Sequence, residues 1–521
     1  MLLQQQHDFL RQHQLLEQHY QRELAAKQQR IDFLYEQFLL LRHQRFGVSA
    51  EHASGQRGLF EEAEAEVVAE TPVDATAAAI AAGEPCRNAE TNVSRGGRKP
   101  LPAELPRLDI VHELSEHERR CACGCQKELI GEECSEQLDI VPMQLRVLRH
   151  IRKKYACRRC ETAPVVAPLP AQPIPKSNAA PGLLAMLLTT KYVDGLPLHR
   201  FERVLARSGV DIPRQTLARW VIQVSEQLQP LHNLLRDALL SGPVVHCDET
   251  VVQVLKEPDK PPASPSYMWV QTGGPPKQKV VLYDYHPSRS GQVPLRLLEG
   301  YRGYLMTDGY EGYNAIAARD GIIHLCCLAH ARRKFVEAQR VQSHAKTQTG
   351  KAEIALDFIG TLYGIERRVK DADTETRYRA RQSHSVPVLQ QLRRWLDTTV
   401  HSVPPKSKLG EALLYLDKYW TRLSRYTERG DLPIDNNAAE NAIRPFVIGR
   451  KAWLFSDTPR GANASALIYS LIETVKANGL EPYTYLRRVL RDLPQATTVE
   501  AIEALLPWRL TQIDLITELE S

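Results

Sequence analysis

The spacing of apolar residues changes character several times along the chain, and each change marks a segment. In residues 1–50, Phe9, Leu10, Leu16, Tyr20, Leu24, Ile31, Leu34, Phe38 and Leu41 recur at helical steps. That period predicts an amphipathic helix, and its length of several heptads suits a coiled coil. Residues 51–112 lose the pattern. Seven acids and no base fall between 60 and 86, and then Arg95, Arg98 and Lys99 surround Gly96-Gly97. An acidic linker followed by a short basic arm is the reading. Helical periodicity returns over 176–240, with breaks at Gly195–Pro197 and Ile212–Pro213. The stretch Leu198–Val224 reads as a helix, a Gly turn and a second helix opened by Pro213, which is helix-turn-helix spacing. The second helix presents Arg214, Gln215, Thr216 and Arg219 near its start.

From residue 241 the period becomes that of strands. β-Branched and aromatic runs cover Pro243–Val254, Tyr267–Val270, Val280–Tyr283, Tyr304–Asp308 and Ile322–Cys327. Helix potential lies near 291–299 and 311–319. Helical, basic sequence fills 345–430, a helix opens near Asp435, and 465–521 is helical again. Three consecutive strands followed by alternating elements is the plan of a ribonuclease-H-like core. The expected fold is therefore α/β and multidomain. Its core comprises 241–344 and 431–464, split by an all-α insertion over 345–430. Ahead of it stand the helical N-terminus, a Cys-rich segment at 113–170 and the helix-turn-helix-like segment; a helical region (465–521) follows.

Composition narrows the function. A chain of 521 residues needs several cores. Its 43% hydrophobic and 25% charged residues are those of an ordinary globular protein. A net charge of +5 permits nucleic-acid binding if the basic residues cluster. The sequence has no signal-peptide pattern and no apolar run of membrane-spanning length, so a cytoplasmic protein without a membrane partner is expected.

Six of the ten cysteines fall between 121 and 160. In a reducing compartment such clustering points to zinc rather than disulfides. Cys157-Arg-Arg-Cys160 is a regular knuckle, while Cys121, Cys123 and Cys125 offer three thiols for two places. A tetrahedral thiolate site is the expectation, and Arg146, Arg149, Arg152, Lys153 and Lys154 suit a DNA-binding zinc ribbon.

The candidate chemistry sits in three acids. Asp248 lies inside the apolar strand VVHCDETVV, where a carboxylate is costly unless paired or metal-bound. Asp308 closes the fourth strand 60 residues on, and Glu440 follows after another 132, on a helix that Asp435 or Asn436 can cap. In a ribonuclease-H-like plan strands one and four are neighbours, so both acids reach one sheet edge and the helix brings the third. Carboxylates suit Mg²⁺ (or Mn²⁺), and paired hard cations serve phosphodiester cleavage. Glu249 points to the opposite face from Asp248. Arg444 lies one turn beyond Glu440, and Pro445 is expected to limit the helix. Arg450, Lys451 and Trp453 combine cation and aromatic as a DNA-binding element.

Six ordered motifs carry a family resemblance: LLLRHQRFGVSAE (39–51), KYACRRC (154–160) with its Cys-rich segment, HCDET (246–250), MTDGYEGY (306–313), CCLAHARRKF (326–335) and DNNAAENAIRPFVIGRKAWLF (435–455). Over nearly its whole length the chain resembles the transposases of the insertion sequence 66 family. The resemblance implies an Asp-Asp-Glu transposase that cuts double-stranded DNA at element ends and joins them to target DNA. It maps the triad onto Asp248, Asp308 and Glu440. It favours Cys121 and Cys123, with Cys125 as alternate, as partners of Cys157 and Cys160. It also implies accessory proteins from the same element, and a homo-oligomer is expected. The step Cys327–His330 resembles a feature following the second acid in several such families; it either supports the active-site edge or simply ends strand five. Arg332, Arg333 and Lys334 come next, as candidate phosphate contacts. The rival readings are a DNA-binding repressor without catalysis and a structure-selective nuclease.

Overall fold

The computed structural model describes residues 144–155, 165–341 and 350–516, with a few helical positions between 17 and 34. Two compact units divide the chain: residues 73–149 form one, and 1–72 with 150–521 form the other. The first lies almost wholly outside the described residues, as do Cys121, Cys123, Cys125, Cys157 and Cys160. A two-residue antiparallel ribbon pairs Lys154–Tyr155 with Val165–Val166.

Five strands build the central sheet: β1 (Val244–Gln253), β2 (Pro265–Gly273), β3 (Val280–His286), β4 (Gly303–Thr307) and β5 (Ile322–Cys326). Their order is β3-β2-β1-β4-β5. The first three form antiparallel hairpins, with Asp248 opposite Val270 and Tyr283 opposite that same valine. β4 and β5 run parallel to β1. The short helix Gln292–Leu297 makes the crossover from β3 to β4. Asp308 lies one residue past the end of β4 rather than within it.

Helices cover the sheet. Those before it are α1 (Pro181–Tyr192), α2 (Leu198–Arg207), α3 (Arg214–Gln227) and α4 (Gln229–Leu240). Pro213 has extended backbone and caps α3, where its missing N–H costs nothing. Arg214, Gln215 and Arg219 are exposed on the first turns of that helix. Helix α5 (Leu328–Val341) follows β5 directly, and the insertion then contributes α6 (Lys351–Arg368), α7 (Val386–Thr399) and α8 (Lys408–Lys418). The chain returns through α9 (Asn437–Trp453), α10 (Pro459–Ala477) and α11 (Pro482–Asp492).

Two hydrophobic clusters result. The larger joins α1–α4, strands β1–β3 and α9–α11. The smaller joins Met306, Leu325 and Leu328 to α5 and the helices of the insertion. The insertion thus packs on the β4–β5 end of the sheet and has its own core.

Both sheet edges are occupied by side chains. Along β3, Thr474 Oγ1 of α10 accepts from Val281 N at 3.0 Å and donates to Val281 O at 3.0 Å. One turn away, Ser470 Oγ accepts from Tyr283 N at 2.8 Å. At the other edge, Arg425 Nη1 donates to the carbonyl of His324 in β5 at 3.1 Å. Among the described residues no helix is long and apolar enough to cross a membrane.

Candidate active site

Asp248 sits at the middle of the central strand, and the strand order places Asp308 on its neighbour. One oxygen of each acid is fixed by backbone: Asp248 Oδ1 accepts from Glu249 N at 2.8 Å, and Asp308 Oδ1 from Tyr310 N at 2.8 Å. Gly309 follows with φ of +89°, a left-handed conformation that turns the chain sharply after the second acid. A Cβ there would also meet Tyr415 Oη at 3.1 Å.

Glu440 lies in the first turn of α9 and is 4% exposed. Its Oε1 lies 3.4 Å from His330 Nδ1 and its Oε2 lies 3.6 Å from Arg333 Nη2. Neither Glu440 Oε1 nor His330 Nδ1 has a hydrogen-bond partner, although both are buried. Burial, and then the Arg333 guanidinium, lowers His330 to about 4, so the imidazole facing Glu440 is neutral rather than ion-paired at pH 7.

The three carboxylates act on one another. Burial pushes Asp248 well above the usual carboxylate range, and the charges of Glu249, Asp308 and Glu440 push it further. Glu440 is raised by burial; Arg333 and Arg444 oppose that rise, while Asp435 and Asp308 add to it. Acids gathered this way repel until a cation or protons join them.

Several supporting residues carry no obvious mark in the sequence. Glu249 has a side chain 1% exposed, committed to Arg289 through bonds of 2.8 and 2.6 Å and to Tyr313 Oη at 2.7 Å. Arg289 stacks 3.9 Å from the Tyr310 ring centre, so the Glu249 pair braces the turn that follows Asp308. From the insertion, Tyr415 Oη donates to Asp308 O at 2.7 Å and Tyr419 Oη to Gly309 O at 2.8 Å. The insertion therefore buttresses the second acid. Asn436 is fully buried. Its N–H reaches Cys327 Sγ at 3.2 Å, its Nδ2 reaches Cys247 O at 2.9 Å, and its Oδ1 lies 3.1 Å from His246 Nδ1. It ties the start of α9 to the central strand. The motif DNN signalled this residue only as a cap, and its side chain makes no capping bond. Asp435 Oδ1 instead accepts from Asn437 N at 3.2 Å.

Other expectations need correction. Pro445 does not limit its helix: α9 runs through it to Trp453. Buried Ile443, Phe446 and Gly449 hold the helix on both sides of the lost backbone bond. Arg450, Lys451 and Trp453 accordingly lie on this helix; Lys451 is exposed, and Arg450 Nη1 reaches Thr250 Oγ1 at 3.5 Å. Arg332 is 5% exposed, so it belongs to the packing of α5 and not to a phosphate-facing surface. Arg333 is exposed, and Lys334 lies 5.1 Å from the Tyr415 ring centre.

Comparison with known proteins supplies the family. The model described as "Transposase IS66 family" matches residues 176–464. The chain belongs to the IS66 transposase family. Further matches cover the IS66 C-terminal element (470–508), the zinc-finger binding domain of transposase IS66 (118–161) and "Transposase C of IS166 homeodomain" (34–110). Among similar curated proteins, uncharacterized protein y4jD of Sinorhizobium fredii (strain NBRC 101917 / NGR234) is 35% identical over 425 residues, covering 78% of this chain and 81% of that one. Uncharacterized protein y4qI of the same strain is 32% identical over 431 residues, covering 79% of each. An IS66 family transposase implies a divalent metal for the acids and zinc for the finger. The acid set fits hard cations: its donors are all oxygen, one of them buried without a partner, and its mutual repulsion is what a cation relieves.

Proposed function

We propose that this IS66 family transposase has a ribonuclease-H-like core in which Asp248, Asp308 and Glu440 hold Mg²⁺ or Mn²⁺ for DNA cleavage and strand transfer. What carries this reading is Asp248 itself: burial raises its carboxyl, and the charges of Glu249, Asp308 and Glu440, reaching it from β1, the end of β4 and α9, raise it further. The strand order β3-β2-β1-β4-β5, three hairpin strands and then two parallel ones, supports the core assignment.

Asp248, Asp308 and Glu440 would hold the cations, whose charge would serve the attacking and leaving oxygens of an in-line phosphoryl displacement. The chain does the rest. The Asp308–Gly309 turn is held by Tyr415, Tyr419 and the Arg289–Glu249 pair, so the second acid keeps its place as charge moves. His330 stays neutral beside Glu440 and leaves that carboxylate its full charge. Exposed Arg333, with Lys334 beside it, lies where a phosphate backbone approaching Glu440 would pass. Arg214 and Arg219 on α3, and Arg444, Arg450 and Lys451 on α9, are the further cations this reading gives to DNA. In the first step water attacks phosphorus at the element end and the 3′ oxygen leaves. In the second, that 3′ hydroxyl attacks a target phosphodiester and displaces its 3′ oxygen.

The same reading assigns zinc to Cys121, Cys123, Cys157 and Cys160, with Cys125 as alternate. It assigns self-association to the N-terminal helix, where Leu24, Ile31 and Leu34 are each more than half exposed. Incubation of the purified chain with element-end DNA and Mg²⁺ tests it. Nicked and joined products are expected, mapped at nucleotide resolution, and Asp248→Ala should abolish both. Cleavage without joining would favour a nuclease, and binding without cleavage a repressor.

A further inference from the structure

A cluster beside the three acids has a different chemistry. Cys327 ends the path out of β5, His330 lies in the first turn of α5, and Glu440 lies in the first turn of α9. One ligand atom from each can be chosen so that all lie within 4.8 Å of one another. Cys327 and Glu440 are buried, and His330 is half-buried.

We propose that Cys327, His330 and Glu440 form a second cation site, which takes a thiophilic divalent ion such as Zn²⁺ and withdraws Glu440 from the hard-cation site. Thiolate with imidazole selects zinc-like ions over Mg²⁺, which takes oxygen ligands. Three protein ligands and an open fourth position match a common zinc arrangement.

Helix capping explains part of the geometry but not all of it. Cys327 Sγ accepts the backbone N–H of His330, as a residue preceding a helix does. It also accepts Asn436 N–H from a different helix, at 3.2 Å. Burial, and then the charges of Asp435 and Glu440, push the Cys327 thiol up, and these two N–H donors oppose that rise; the thiol proton passes to solvent only as a metal takes its place. Capping also leaves His330 Nδ1 and Glu440 Oε1 unexplained. Both are buried, face each other at 3.4 Å and lack a hydrogen-bond partner. One cation would satisfy both.

Metal binding rests on this cluster alone, and only the effect on cleavage rests on the role proposed above for Glu440. The test uses the full chain, stripped with chelator and reloaded with Co²⁺, as wild type, Cys327→Ser and His330→Gln. The finger cysteines are intact in all three and contribute equally. Wild type should take up one more Co²⁺ than either variant, with thiolate-to-cobalt absorption beyond that of the finger, an increment that Cys327→Ser lacks. That uptake should survive a thousandfold excess of Mg²⁺. Equal uptake in wild type and in variants of unchanged circular dichroism would overturn the site, and if Cys327→Ser fails to fold, His330→Gln alone decides. In the Mg²⁺ nicking assay, Zn²⁺ should suppress cleavage tenfold or more, reversibly with chelator. An extra Co²⁺ site without such suppression would count against a catalytic Glu440 and leave the binding site standing.

Discussion

Replacing Asp248 with Asn should stabilise the protein and destroy its cleavage activity at once. The side chain stays nearly isosteric, and Asp248 Oδ1 can still accept from Glu249 N. What disappears is one negative charge facing Glu249, Asp308 and Glu440. Each pKa unit by which those neighbours and burial raise the carboxyl costs the metal-free native state about 1.4 kcal/mol. Substitutions relieving such a conflict commonly return about 0.5–2 kcal/mol. For a domain of this size that is a rise of roughly 1–8 °C in Tm. The sign with pH follows from linkage. A raised acid binds more protons folded than unfolded, so wild-type stability falls as pH rises from the unfolded value near 4. The advantage of the variant should therefore be largest at pH 7–8 and shrink toward pH 4. Excess Mg²⁺ should raise the wild-type Tm and leave that of the variant nearly unmoved. Losing about 4 kcal/mol of charge stabilisation corresponds to about a thousandfold slower cleavage. Thermal unfolding in chelator and in Mg²⁺, beside nicking of an element-end substrate, measures all of this. A variant no more stable than wild type in chelator, or one that still nicks, would refute the reasoning.

Arg289→Ala strands the buried Glu249 carboxylate and should cost about 3 kcal/mol; a denaturant midpoint equal to wild type would show that the pair braces nothing. Tyr415→Phe with Tyr419→Phe removes two hydroxyl bonds from the Asp308–Gly309 carbonyls, at about 1 kcal/mol each, and should raise the Mg²⁺ concentration for half-maximal nicking. An unchanged Mg²⁺ curve would reduce the insertion to a spacer. His324 is buried and pushed down to about 3 by desolvation, then by Arg422 and Arg425. Below pH 6.5 the unfolded chain gains a proton that the native chain refuses, so stability should fall by up to about 1.4 kcal/mol per pH unit through this group. His324→Gln should flatten the pH series of denaturant midpoints, and an equal slope would contradict it.

The strand pattern was legible because period-two runs of Val, Ile, Tyr and Trp survive translation into a buried sheet. Of the three acids only Asp248 stood out by itself, as a charge inside an apolar strand; Asp308 and Glu440 stood out through strand order and the family motifs. What stayed hidden is set by contacts between distant segments. Tyr415 and Tyr419 look like ordinary helix-face aromatics until the insertion folds back over Asp308. Glu249 looked like the lesser neighbour of Asp248, and only Arg289, 40 residues away, shows its charge to be spoken for. Pro445 misled because a local rule for helix ends lost to the packing of Phe446 and its neighbours.

The stoppered sheet edges limit how copies of this protein can meet on DNA. An open edge strand invites another copy to extend the sheet, a route to stacking without end. Here Ser470 and Thr474 fill one edge and Arg425 the other, so copies that meet would have to do so through surfaces other than these edges. Assembly size is thereby left to surfaces that can close on themselves. A chain with Ser470 and Thr474 both changed to Ala would be expected to lose that limit and to aggregate at lower concentration than the native protein.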